Sequence, residues 1–108
     1  AEKMAETLQL TVYVNKVQME DVMDCLLTLE SISGFTFTPC FGHSRKHATL
    51  NIVEQVRGSR ELLKLDVIHE RGQTELIINA LRTVNAREPM RYTLHPLLEQ
   101  GVIEGLSN

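Results

Sequence analysis

Apolar and polar side chains alternate between residues 8 and 15: Leu8, Leu10, Val12 and Val14 are interleaved with Gln9, Thr11, Tyr13 and Asn15. A period of two marks a strand with one apolar face. After Val17 the period changes. Met19, Val22, Leu26 and Leu29 recur at steps of three and four, and Glu20 and Asp21 fall in the first turn, where the helix dipole favours acids. The spacing predicts a helix of about three turns. Residues 31–34 break it, and residues 35–41, rich in Phe and Thr, read as a second strand.

The pattern then weakens from Gly42 to about Glu54, where five consecutive polar residues, 43–47, suit an exposed loop. Residues 61–69 restore the alternation, with Leu63, Leu65 and Val67 set against Leu62, Lys64, Asp66 and Ile68. Gly72-Gln73-Thr74-Glu75 opens a second helix whose stripe is Ile77, Ala80, Leu81 and Val84. Pro89 ends that helix, because the residue before a proline is pushed out of the α region. Residues 90–95 make a fourth strand, and Pro96 limits further ladder bonding. The last dozen residues read as a short strand or as an arm packed on a neighbour. The order βαββαβ predicts an α+β, ferredoxin-like sandwich: one antiparallel sheet with two helices on one face.

At 108 residues, 43% hydrophobic, the chain suits a single domain over residues 8–108, with residues 1–7 as a disordered polar end. No apolar run approaches the ~20 residues of a membrane span, so a soluble protein without direct membrane insertion is expected. The net charge of −3 offers no field for a phosphate backbone, and nucleic acid is not an expected partner. Two cysteines allow one bridge at most, too few for a secreted disulfide framework, which favours the cytoplasm.

Several motifs together resemble the PII signal-transduction proteins. They are Gly34-Phe35-Thr36-Phe37-Thr38, Phe41-Gly42, His47-Ala48, and Val56-Arg57-Gly58-Ser59-Arg60-Glu61-Leu62 entering the third strand. Met19-Glu20-Asp21-Val22 also looks like the PII first helix, and the register holds from about Leu8 to Leu94. The resemblance implies a PII-like fold, a homotrimer, and a long loop between strands two and three that touches target proteins.

Two departures separate the chain from nitrogen-sensing PII proteins. The long loop has no Tyr to modify, and residues 83–89, where PII wraps ATP phosphates with a glycine-rich loop, contain no glycine. A Cβ blocks close backbone approach to phosphates, so nucleotide is not an expected ligand despite Arg82, Arg87 and Arg91. The chain is similar instead to the small PII-like proteins encoded beside heavy-metal efflux pumps, and more distantly to the divalent-cation tolerance proteins. That likeness implies a membrane metal-efflux protein as partner and a place in heavy-metal resistance.

Cys40, His43 and His47 form a Cys-x2-His-x3-His spacing: one thiolate and two imidazoles within eight residues. Zinc, copper and nickel favour such donors, and His69, His95 or an acid of a neighbouring subunit would complete a tetrahedron. The competing reading makes Cys40 a small packed hydrophobe and both histidines solvated. Ser44, Arg45, Lys46, Leu50, Ile52 and Val53 are the candidate partner-binding residues of the loop, which is expected to be the most mobile segment. Cys25 reads as packing, His69 as a hydrogen-bonded residue at the core edge, and His95 as exposed.

No nucleophile elbow, phosphate loop or His-Glu-x-x-His helix is present, so enzymatic activity is not expected. Three functions remain: a metal-binding PII-like sensor that signals to or buffers for an efflux system, a trimeric interaction module with no small ligand, and an adenine-nucleotide-sensing regulator.

Overall fold

The computed structural model describes residues 6–42, 60–84 and 89–106. The elements run β1 (Thr7–Asn15), a 3-10 turn (Lys16–Gln18), α1 (Met19–Leu27), β2 (Phe35–Gly42), β3 (Arg60–Glu70), α2 (Thr74–Leu81) and β4 (Arg91–Pro96). The four strands form one antiparallel sheet in the order β2-β3-β1-β4, with both helices packed on one face, as the βαββαβ pattern predicts.

The alternation in β1 sends Leu8, Leu10, Val12 and Val14 into the core, where they meet Leu63, Leu65 and Val67 of β3. From α1, Val22 and Leu26 are fully buried, with Cys25 packed beside them. From α2 the buried set is Ile77, Ile78 and Leu81, with Ala80 half-buried; the helix stops at Leu81, short of the expected Val84, which is half-buried beyond it. Ile78, outside the expected stripe, is also buried and lines the core beside Ile77 and Leu81. Phe35 and Phe37 of β2 close the core with an edge-to-face contact at 5.8 Å.

Local devices set the element ends. The Asn15 carboxamide oxygen accepts from the Val17 N–H at 3.2 Å and starts the 3-10 turn. The Thr28 hydroxyl donates to the Cys25 carbonyl at 2.7 Å where α1 stops, two residues before Leu29. Gly72 has φ of 99°, a conformation that only glycine adopts without strain, and it turns β3 into α2 under a Gln73 N–H to Glu70 carbonyl bond of 3.1 Å.

β1 begins at Thr7, which pairs with Glu70, and the Glu6 carbonyl accepts from the Arg71 N–H at 2.7 Å. β4 ends at Pro96, which has no N–H to donate, and one further bond, from Leu97 N–H to the Thr7 carbonyl at 3.0 Å, closes that end of the sheet. Both edge strands carry a proline, Pro39 in β2 and Pro96 in β4, at positions where a missing donor costs the sheet least. No helix among the described residues is long and apolar enough to cross a membrane.

Candidate functional site

The helices cover one face of the sheet, and the strand register assigns the other. Thr36, Asp66, Thr11 and Thr93 lie in one row across all four strands, and Thr38, Lys64, Tyr13 and Arg91 in the next. Cys40, Leu62 and Asn15 follow towards the end of β2. This face is polar at its centre. The Thr11 hydroxyl donates to the Asp66 carboxylate at 2.7 Å, and the Gln9 amide donates to the same oxygen at 3.2 Å. Apolar side chains flank this centre: Ile68 and Tyr13 are exposed and Leu62 is half-buried.

Cys40 sits on this open face, alternating with the phenylalanines of β2 as the sequence pattern requires. Its thiol is free and half-buried. The sheet separates it from Cys25, whose Sγ donates to the Ala80 carbonyl at 3.1 Å across the two helices. A Cβ at Gly42 would stand 2.8 Å from Leu62 Cδ1, so a larger residue there would make the end of the Leu62 side chain shift.

The other expected ligands, His43 and His47, lie outside the described residues, as do Ser44, Arg45, Lys46, Leu50, Ile52 and Val53 of the partner-binding set. The expectation of loop mobility falls on the same segment. Among the described residues no three His, Cys, Asp or Glu side chains gather closely enough to hold an ion.

The structure rules out two of the fourth ligands considered within one chain. His69 is 3% exposed with both ring nitrogens engaged: Nδ1 lies 3.2 Å from the Val67 carbonyl and Nε2 lies 2.6 Å from the Thr74 hydroxyl. A carbonyl only accepts, so Nδ1 carries the proton and Nε2 accepts from Thr74. That is the hydrogen-bonded core-edge histidine that the sequence pattern implies. His95 is exposed, with Nε2 3.1 Å from the Thr93 hydroxyl. It lies on β4, three strand spacings of ~4.8 Å away from β2 and well along the sheet from the Cys40 row.

A second feature is not visible in the sequence pattern. Between α2 and β4 runs a groove of about 340 Å³, walled by Val12, Ile78, Leu81, Val84, Met90 and Tyr92, with Arg82 at its rim. These residues come from three separated stretches of chain, so only the strand order brings them together. The nearest sequence signal was Tyr92, an aromatic on the helix-side register of an edge strand.

Comparison with known proteins places this geometry. A crystal structure of a DUF3240 family protein from Shewanella baltica superposes with a TM-score of 0.78 at 27% identity, over 94% of this chain and all of that one. Arabidopsis thaliana PII bound to citrate gives 0.67 at 16% identity, over 86% of this chain and 76% of that one. A GlnK-ATP complex from B. subtilis gives 0.65 at 12%, over 89% and 85% respectively. The last two likenesses show the fold, which is that of the PII proteins. Among curated proteins no sequence matches. The family that matches residues 4–104 is described as a protein of unknown function, DUF3240. The chain belongs to the DUF3240 family and has a PII-like fold.

Proposed function

We propose that the protein is a homotrimeric, non-enzymatic regulatory module of the PII type that binds a transition-metal ion at the base of the segment following β2. Cys40, His43 and His47 are its ligands, for zinc, copper or nickel. In this reading the metal changes the shape of that segment, whose Ser44, Arg45, Lys46, Leu50, Ile52 and Val53 then engage a cytoplasmic surface of a membrane metal-efflux protein.

The observation that carries this reading is the position of Cys40. It is a free thiol at the end of β2, three residues before His43, on the sheet face that the helices leave uncovered. A thiolate there is reachable by an ion. In a trimer packed through that face it stands near a subunit boundary, where a neighbour's side chain completes the coordination. Packing through the open face also covers Tyr13 and Ile68.

Adenine nucleotide is not part of this reading, because residues 83–89 have no glycine with which to approach a phosphate. The test is zinc affinity in the double variant His43→Ala/His47→Ala. Binding should be lost with the fold intact, whereas undiminished affinity would remove the site and leave a trimeric interaction module.

A further inference from the structure

After Leu97 the chain leaves the sheet and contributes nothing to its own core. Leu98 is 103% exposed, Val102 86%, Ile103 101% and Leu106 100%. Four large aliphatic side chains on nine residues of irregular chain are far more than scattered surface hydrophobes, and water is a poor solvent for them. We infer that this arm, residues 98–106, docks into the α2/β4 groove of a second copy of the chain. The inference rests on the trimeric reading above and deepens it by naming the contact that joins neighbours.

Three observations select that occupant. The arm does not fill its own groove: Leu97 is tied to Thr7 at the Pro96 end of β4, the end opposite Met90, and beyond it the side chains stand clear of the domain. The groove offers what the arm lacks, an apolar lining that includes Ile78, Leu81, Val84 and Met90. The charges are also complementary. Residues 97–106 carry Glu99 and Glu104 and no basic residue, while Arg82 lines the groove.

A contact in which one patch of each copy meets a different patch of the next is head-to-tail, and it closes when the rotation between copies completes a ring. Three arms in three grooves would close a trimer and leave no arm exposed. Burial of aliphatic side chains would supply the attraction, and the Glu–Arg pairs at the rim would set direction more than strength.

The test uses the full chain with a photoreactive residue, Ile103→p-benzoylphenylalanine, irradiated in solution and resolved on a denaturing gel. The expected result is bands of two and three chains, with residue 103 joined to the tryptic peptide holding Ile78 and Leu81 or to the one holding Met90. Val84→Asp in the same background, with its fold checked by circular dichroism, should remove those bands. Links only within one chain, multi-chain links mapping elsewhere, or full yield in the Val84→Asp variant would overturn the inference. Light scattering on the same sample separates the two failures. A three-chain mass with links elsewhere overturns the seat of the arm alone, and a single-chain mass overturns the trimeric reading with it.

Discussion

The hydroxyl of Thr11 on β1 donates to the carboxylate of Asp66 on β3 at 2.7 Å, on the sheet face without helices, and Thr11 is nonetheless only 3% exposed. The two residues are register partners in the middle of the sheet, so neighbours on both flanks shut out water. A buried hydroxyl whose partner is removed loses its hydrogen bond without regaining water. Asp66→Ala should therefore lower stability by about 1–3 kcal/mol, and Thr11→Val, which leaves Asp66 its Gln9 donor, by about 1 kcal/mol. Urea midpoints measure both, and an Asp66→Ala protein as stable as wild type would contradict the account.

The His69–Thr74 bond joins the end of β3 to the first residue of α2 across the Gly72 turn. Thr74→Val leaves Nε2 of a buried imidazole without a donor and should cost about 1–3 kcal/mol, while Thr74→Ser should recover most of the loss. Thermal melting of the two variants distinguishes them, and equal melting temperatures would show that the hydroxyl is not needed.

Gly72→Ala should destabilise by about 1 kcal/mol or more, because its φ of 99° places a Cβ against the backbone even though the surrounding space is open. Gly34→Ala should be far milder, since no positive φ is required there and nothing lies near the added carbon. Denaturant titration of the pair checks the contrast.

Much of this fold was legible because its strongest elements have clean periods. The buried set of β1 is the alternating set Leu8 to Val14, and the stripe of α1 centres on Val22 and Leu26. Cys40 shares the open face with Thr38 and Thr36, two and four residues before it along β2. What stayed hidden depends on which strands are neighbours. Thr11 reads as a solvent-facing polar residue until β3 and β4 are placed on either side of it. The α2/β4 groove likewise needs Val12 beside Tyr92, 80 positions apart in sequence. Of the metal site, the donor types and their spacing could be read from the sequence. The structure adds the placement of Cys40 and the exclusion of His69 and of the chain's own His95.

Core deletions should scale with burial. Leu26→Ala and Leu65→Ala, both at 0% exposure, should each cost about 2–5 kcal/mol, whereas Leu27→Ala on the exposed side of α1 should stay within about 0.5 kcal/mol. A Leu27→Ala loss as large as that of Leu26→Ala would mean that another chain covers the outer side of α1.

The central claim is metal binding, and calorimetric titration of the wild-type protein with zinc, alongside copper, nickel and ATP, tests it most directly. The account predicts saturable zinc binding at micromolar or lower concentration and no heat from ATP. Affinity should weaken as pH falls below about 6.5, where free imidazoles gain the proton that competes with the ion. Absence of binding by all three metals would contradict it: heat from ATP alone would then point to a nucleotide sensor, and no heat at all to an interaction module.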